Sequence, residues 1–317
     1  MDTSHNPASG SAIRPQRSER LSDRPRAILL MVLAITCFSA LDASAKYLGQ
    51  HYGLPVEQVA WSRFMGQFLA LIVLVPTIGS LSLPALFRTR HLKLQLVRST
   101  LMASTTVLNF LALEHLRLDQ TVTIVFLAPL VVALLAGPLL GEWVGWRRLL
   151  AILVGFLGIL VAVNPAIGPV HPAVGYSFLG MLAYALFMIL TRYMAAFDPP
   201  MVTLFYSMFV GAFLGAPFAL AAWHTPPDGL SWLLLAALGV FGGLGHWLFL
   251  HAYRLAPAST IAPFLYMQLL SMIAFGYLVF GDVPDLQTLA GALIIVASGI
   301  YLFHRERVTQ KGETESS

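Results

Sequence analysis

Residues 27–48, AILLMVLAITCFSALDASAKYL, form a long apolar run that ends in a few polar residues. A helix that crosses about 30 Å of hydrocarbon needs about 20 mostly apolar residues, so this stretch predicts a membrane-spanning helix. Similar stretches follow along the chain, separated by proline, glycine or charged residues. The predicted spans are 27–48, 56–79, 95–115, 119–140, 147–164, 174–195, 201–222, 230–252, 258–280 and 285–303. We therefore expect an all-α polytopic membrane protein with ten transmembrane helices.

The composition of the whole chain supports this expectation. Of its 317 residues, 57% are hydrophobic and only 11% are charged, and the mean hydropathy is +0.76. Soluble globular chains carry about 25% charged residues. So little charge excludes a soluble globule and a disordered chain. Cys37 is the single cysteine, which excludes a disulfide-stabilised scaffold.

The basic residues indicate how the chain is oriented in the membrane. The net charge of +4 and the pI of about 9.3 would permit a nucleic-acid partner. However, all of the 19 lysines and arginines except Lys46, Arg63 and Arg117 lie on one side of the ten predicted spans. These are Arg14, Arg17, Arg20, Arg24, Arg26, Arg88, Arg90, Lys93, Arg98, Arg147, Arg148, Arg192, Arg254, Arg305, Arg307 and Lys311. Basic residues accumulate on cytoplasmic loops, so we expect both termini to be cytoplasmic and expect no nucleic-acid partner.

The two ends of the chain lack the apolar content of the spans. Residues 1–25 and 305–317 are predicted to be disordered cytoplasmic tails. Arg26, the apolar run after it and the tripeptide at 43–45 also imitate a cleaved signal peptide. An internal repeat argues against cleavage, because removal of the first span would leave one half with four spans.

That repeat relates the two halves of the sequence. Pro55 aligns with Pro200, and the pattern Ser-x-Phe-x-Gly-x-Phe-Leu at 62–69 recurs at 207–214. The halves are then 26–165 and 166–304, with five predicted spans each. Because five is odd, the second half enters the membrane from the opposite side. Inverted repeats of this kind are typical of secondary transporters; the alternative is an ancient duplication that serves packing alone.

Three features of the sequence are informative together: the end of the first span, the sequence Trp-Ser-Arg-Phe at 61–64, and Ala128-Pro129 followed by Gly141-Glu142. They resemble the drug/metabolite transporter superfamily and, within it, the EamA-type bacterial transporters. The resemblance covers about 27–304. It implies a transporter in the bacterial inner membrane, because family members carry metabolites that include amino acids, riboflavin and S-adenosylmethionine. The second half departs from the pattern, with Leu269 in place of proline and Asp282 in place of glutamate.

Charged side chains inside predicted spans are candidates for function, because they are unfavourable in hydrocarbon. Asp42 and Lys46 share one face of the first span, and Arg63 lies at a similar depth in the second. The repeat aligns Asp42 with Met188 and Arg63 with Met208, so packing common to both halves does not require these charges. Either the three residues line the outer part of a central cavity, with Asp42 as a proton or cation site, or they form a salt-bridged lock.

Uncharged polar side chains inside the predicted spans are weaker candidates for function than charged ones. Four polar side chains lie inside other predicted spans: Asn109, Tyr184, His246 and Gln268. They are candidates for binding a substrate or a coupling ion, although interhelical hydrogen bonds are the commoner role of such side chains. Trp61 could stack on a flat substrate. His246 and His251 are five residues apart, on different faces of a helix, so they do not predict a metal site.

Function follows from these features together. The sequence contains no Walker motif, no His-Glu-x-x-His and no Gly-x-Ser-x-Gly, so we expect neither an ATP-driven pump nor an enzyme, and no cofactor or metal. We expect a secondary transporter of a small organic molecule, surrounded by membrane lipid, as a monomer or homodimer. By resemblance, the first expectation is uptake of riboflavin or of S-adenosylmethionine; the alternative is an exporter of amino acids or other metabolites.

Overall fold

All regular secondary structure is helical in the part of the chain that the structure, a computed structural model, describes. That part comprises residues 23–78, 83–140, 146–163, 171–194, 197–255 and 264–315, and it contains no strand. The helices are α1 (Asp23–Tyr52), α2 (Val56–Ile78), α3 (Leu83–Leu86), α4 (Leu92–Leu113), α5 (Leu118–Val125), α6 (Ala128–Leu140), α7 (Trp146–Val163), α8 (Ala173–Met194), α9 (Pro200–Leu214), α10 (Ala216–Ala221), α11 (Gly229–Leu255), α12 (Met267–Phe275) and α13 (Leu286–Glu315).

Six helical segments among the described residues are long and apolar enough to cross a membrane. They are Pro25–Tyr52, Leu92–Leu113, Leu118–Leu135, Ala173–Met194, Met201–Ala221 and Gly229–Tyr253. Shorter apolar segments cover Leu149–Ala162, Met267–Phe280 and Leu286–Tyr301. The expected all-α membrane fold is therefore observed.

Two predicted spans are interrupted helices. The span 119–140 is divided into α5 and α6 by a break at Phe126 and Leu127, just before Pro129. The span 201–222 is divided into α9 and α10 at Gly215, two residues before Pro217. Proline has no backbone N–H and its ring clashes with the preceding turn, so each proline begins a new helical segment.

The predicted tails differ in part from the structure. Residues 1–22 lie outside the described residues, and α1 already begins at Asp23. At the other end, α13 continues to Glu315, so the expectation of disorder over 305–315 was wrong. The physical reason is that extending an existing helix costs little, and Arg, Glu, Gln and Lys, which are frequent there, have high helix propensity.

The helices of the two halves alternate in space. Helix α1 packs against α11, and α4 packs against α8; α2 contacts both α9 and α11, while α9 also contacts α4. Helix α7 packs against α13. The largest contacts therefore join a helix of the first half (23–163) to a helix of the second (171–315).

Glycines permit the closest of these approaches. Helices α2 and α11 cross where Gly66 faces Gly239: a Cβ built on Gly66 would lie 2.7 Å from the Cα of Gly239. A similar crossing joins Gly158 of α7 to Gly291 of α13. Small residues at helix crossings let backbones approach and gain van der Waals contact, which is the main source of packing energy in lipid.

A methyl group at the α2–α11 crossing is expected to separate the helices. We predict that Gly66→Ala lowers the free energy of unfolding by about 1–3 kcal/mol, the usual cost of overpacking. The matched control is Gly175→Ala in α8, where no atom lies within 4 Å of the added Cβ. Thermal unfolding in detergent should show a lower Tm for Gly66→Ala alone; equal Tm values for the two variants would contradict the close crossing.

Candidate functional site

A cavity of about 450 Å³ lies between the two halves of the bundle. Small-molecule sites in proteins are typically about 300–1,000 Å³, so this one is large enough for a metabolite. Its wall is built from α1, α2, α4 and α5 of the first half and from α8, α9, α11 and α12 of the second. More of the lining residues carry polar or charged side chains than apolar ones.

The structure brings together most of the side chains that the sequence singled out. The wall includes Asp42, Arg63, Asn109, Tyr184, His246 and Gln268. Lys46 and Trp61 do not line it. The indole N–H of Trp61 donates to the carbonyl oxygen of Ala212 at 2.8 Å, so this ring joins α2 to α9 and does not face the cavity.

Asp42 and Arg63 face the cavity without pairing with each other. Asp42 Oδ1 accepts a hydrogen bond from Asn109 Nδ2 at 3.1 Å. Arg63 Nη1 donates to Thr106 Oγ1 at 3.0 Å. The ion pairs among the described residues do not include one between Asp42 and Arg63, so the predicted pairing of these charges is not found.

A second polar side chain of α2 lies one turn after Arg63. Gln67 is 2% exposed, and its Nε2 has no hydrogen-bond partner within the described chain; the same is true of Arg63 Nε. Both side chains line the cavity. The wall formed by α2 therefore carries hydrogen-bond donors that the rest of the described structure does not use.

His246 is held in place by its own helix. Its Nδ1 lies 2.8 Å from the carbonyl oxygen of Gly242, and its ring packs edge-on against Phe38 with 5.0 Å between centroids. With Nδ1 donating, Nε2 is an acceptor. The described residues contain no group of three or more His, Cys, Asp or Glu side chains placed to hold a metal ion.

The placement of Arg98 corrects the sequence analysis, which counted it among the cytoplasmic loop charges. Arg98 lies in α4, is 1% exposed and lines the cavity. Its Nη2 donates to Ser207 Oγ at 2.8 Å and to the carbonyl oxygen of Thr203, and Nη1 donates to Thr191 Oγ1 at 3.4 Å. All three acceptors belong to the second half.

Asp198 adds a carboxylate to this region. Its Oδ2 accepts hydrogen bonds from Thr89 Oγ1 at 2.6 Å and from Gln95 Nε2 at 2.8 Å. Gln95 Oε1 in turn accepts from Arg98 Nε at 3.2 Å. We call these residues the Arg98 cluster: Thr89, Gln95, Arg98, Asp198, Thr203 and Ser207. The cluster ties the two halves together at one end of the cavity.

Contacts between the halves also occur at the opposite end of the bundle. Lys46, only 5% exposed, forms an ion pair with Asp282 at 3.0 Å, and its ammonium lies 4.5 Å from the centre of the Phe280 ring. Arg117 pairs with Asp285 at 2.8 Å. We call these residues the Lys46 cluster: Lys46, Arg117, Phe280, Asp282 and Asp285. Lys46 thus forms an ion pair with the second half and does not line the cavity.

Tyr52 and Asp228 add a further contact at the same end, where the hydroxyl of Tyr52 donates to Asp228 Oδ2 at 3.0 Å. Asp228 caps α11, because its Oδ1 accepts from the backbone N–H of Ser231 at 2.8 Å. That bond, together with the donation from Tyr52, holds the pKa of Asp228 below its ordinary value.

Sequence reasoning missed three wall residues for identifiable reasons. Arg98 follows a run of loop charges and looks like one of them, although it lies inside the predicted span 95–115. Asp198 precedes two prolines and looks like a loop residue. Gln67 is uncharged, and nothing in the sequence distinguishes it from polar side chains that only pack between helices. The position of Arg98 within a span was the one signal that could have identified it.

Comparison with known proteins agrees with this architecture. Residues 25–164 and 171–304 each match the family described as the EamA-like transporter family. A protein of known crystal structure aligns with a TM-score of 0.57 at 18% identity, over 88% of this chain and 97% of the other, which shows a shared fold.

Three bacterial relatives match over nearly their full length. An S-adenosylmethionine uptake transporter of Rickettsia prowazekii is 27% identical over 91% of this chain and 96% of its own. A riboflavin transporter of Brucella anthropi is 28% identical, with 89% of this chain and 99% of its own covered. The pseudopaline exporter CntI of Pseudomonas aeruginosa is 27% identical, with 87% and 95% covered. The chain therefore belongs to the EamA-like transporter family of multi-pass membrane proteins, whose members are transporters and not enzymes.

Proposed function

We propose that this protein is a secondary transporter that takes up a small ring-bearing metabolite, riboflavin or S-adenosylmethionine, across the bacterial inner membrane by alternating access. The observation that carries the proposal is the cavity of about 450 Å³ whose wall is shared by the two halves. A site between two halves can open toward either side when one half rocks against the other.

The proposal includes ten spans arranged as two inverted repeats, 26–165 and 166–304, with both termini cytoplasmic. The packing supports this arrangement. If spans are numbered along the chain, a two-fold relation exchanges span 1 with span 6 and span 3 with span 8. It therefore relates the α1–α11 contact to the α4–α8 contact, and the α2–α11 contact to the α9–α4 contact; all four are observed.

In this arrangement the Lys46 cluster faces outside and the Arg98 cluster faces the cytoplasm. Exposed basic side chains near the Arg98 cluster agree with this orientation, since Arg88, Arg90 and Lys93 lie there. Each cluster joins the two halves and so acts as a gate that opens when its bonds break. Between the gates, Asp42, Arg63, Asn109, Tyr184, His246 and Gln268 are the proposed substrate or coupling-ion residues.

The names of four relatives support uptake, because they are S-adenosylmethionine uptake transporters. Riboflavin is included as a substrate because other relatives are named riboflavin transporters. Export is the second candidate, and the similarity to the pseudopaline exporter favours it. The gradient that a secondary transporter uses decides whether it imports or exports its substrate. The same cavity can therefore serve either direction of transport.

Flux into sealed vesicles tests the proposed function. We predict that purified protein in proteoliposomes takes up labelled riboflavin or S-adenosylmethionine without any nucleotide, because the chain has no Walker motif. The matched control is protein-free liposomes of the same lipid composition. Absence of flux for both compounds under proton and sodium gradients of either direction would contradict the proposal.

The Lys46–Asp282 pair should govern opening at the outer end. Asp282 is 25% exposed, so the pair is only partly buried, and its loss in Asp282→Asn is expected to cost about 1–3 kcal/mol in the closed state. We predict faster outward opening in Asp282→Asn, measured as faster labelling of a cysteine placed in the cavity from the outer face.

The double variant Lys46→Met/Asp282→Leu provides the comparison, since it removes both charges and should label no faster than Asp282→Asn. Glu57→Gln is the matched single control, because Glu57 is exposed in the first turn of α2 at the same end. Equal labelling rates in Glu57→Gln and Asp282→Asn would exclude a gating role for the Lys46 pair.

A further inference from the structure

Helices α2 and α9 begin with the same local structure at equivalent positions of the repeat. Gln58 aligns with Thr203, and Ser62 aligns with Ser207. In each half the serine hydroxyl donates to the backbone carbonyl oxygen four residues earlier, at 2.8 Å in α2 and at 3.0 Å in α9. The two helices therefore share a hydrogen-bonding pattern as well as a sequence.

Gln58 binds the second half through both polar atoms of its amide. Its Nε2 donates to the carbonyl oxygen of His224 at 2.9 Å, and its Oε1 accepts from the backbone N–H of the same residue at 3.0 Å. His224 lies in the loop 222–228 that precedes α11, four residues before Asp228. Because Asp228 bonds to Tyr52, this contact lies at the same end of the bundle as the Lys46 cluster.

Thr203 and Ser207 bind the first half at the other end of the bundle. Gln95 Nε2 donates to Thr203 Oγ1 at 3.3 Å, and Arg98 Nη2 donates to Ser207 Oγ at 2.8 Å. Both donors lie in the first two turns of α4, which is span 3 of the ten-span numbering, while α11 is span 8. The two contacts therefore follow one plan: the start of span 2 holds the start of span 8, and the start of span 7 holds the start of span 3.

From this correspondence we propose that Gln58 is a positioning residue that holds the outer end of the cavity closed, as the outer counterpart of the Arg98 cluster. The proposal rests on the proposed function and adds to it a gate contact that the Lys46 cluster does not contain. Arg63 and Met208 lie five residues after Gln58 and Thr203, and both line the cavity. Separation of α2 from the loop 222–228 therefore opens the cavity wall toward the outer face.

The chemistry of the two contacts differs. The inner contact involves the guanidinium of Arg98, which is 1% exposed, whereas the outer contact joins an uncharged amide to a peptide group. Gln58 is fully buried but His224 is exposed, so water can satisfy the backbone groups of His224 when the contact breaks. Replacement of Gln58 by an apolar residue consequently removes the contact without leaving an unpaired charge in the bundle.

Labelling of a cavity thiol from each face of the membrane tests the proposal. In the background Cys37→Ala/Thr105→Cys, a membrane-impermeant thiol reagent is applied to right-side-out and to inside-out vesicles. Gln58→Leu should raise the labelling rate from the outer face about 5- to 100-fold, the range for loss of two hydrogen bonds between neutral groups. Ser207→Ala, at the equivalent inner contact, should raise the labelling rate from the cytoplasmic face instead.

The matched control is Gln50→Leu. The Nε2 atom of Gln50 donates to the carbonyl oxygen of Glu114 at 2.8 Å, so this side chain also makes a glutamine-to-backbone bond at the outer end. Both of its residues belong to the first half, and the bond does not join the halves. We therefore expect wild-type labelling rates from both faces in Gln50→Leu.

The face from which labelling accelerates is the readout, because a general loss of packing would raise the rate from both faces. Where Gln58→Leu does not fold, Gln58→Met carries the same comparison. Unchanged rates in the Gln58 variant, equal acceleration from both faces, or the same acceleration in Gln50→Leu overturns the inference. Each of these results leaves the proposed function standing when the wild type takes up labelled substrate into proteoliposomes. Absence of that uptake overturns the proposed function itself.

Discussion

The organisation of this protein depends on one constraint: a charged side chain inside an apolar bundle must find its partner within the protein. Hydrocarbon offers neither water nor counter-ions, so an unpartnered charge there costs several kcal/mol. With 11% charged residues, the chain carries few such groups. Where each of them finds its partner decides which helices are tied together and which surfaces stay open to a ligand.

At both ends of the bundle the partners come from the opposite half. Arg98 is satisfied by hydroxyl and carbonyl oxygens of α8 and α9, and Lys46 is satisfied by Asp282. In the middle the pattern changes, because Asp42 accepts one hydrogen bond from Asn109 of α4 and Arg63 donates one to Thr106 of the same helix. The contacts at the two ends are the proposed gates, and the cavity between them is the proposed binding site.

Close helix crossings complement these polar contacts. Gly66 and Gly239 bring α2 and α11 together without side chains between them, and Gly158 and Gly291 do the same for α7 and α13. Van der Waals packing thus holds the bundle where no polar contact is needed. The breaks before Pro129 and Pro217 interrupt helices beside the cavity, as proline does when it interrupts helical hydrogen bonding.

Hydropathy was sufficient to predict the all-α membrane fold, because apolar length depends on composition alone. Asp42 and Arg63 could be identified from the sequence alone, because each is a charged residue inside a predicted apolar span. The sequence could not show whether they form an ion pair, since pairing depends on side-chain directions on three helices. Arg98 was misassigned because the sequence alone does not show where the loop charges end and the helix begins. The helical end of α13 was missed because polar residues can extend a helix that packing has already nucleated.

Accessibility of the cavity wall from each side of the membrane distinguishes alternating access from a static cavity. With Cys37→Ala as the background, Thr105→Cys places a single thiol on the wall. A membrane-impermeant thiol reagent is expected to react with this thiol in both right-side-out and inside-out vesicles, and transported substrate is expected to slow both reactions. Reaction from one face only, or rates that substrate does not change, would exclude alternating access through this cavity.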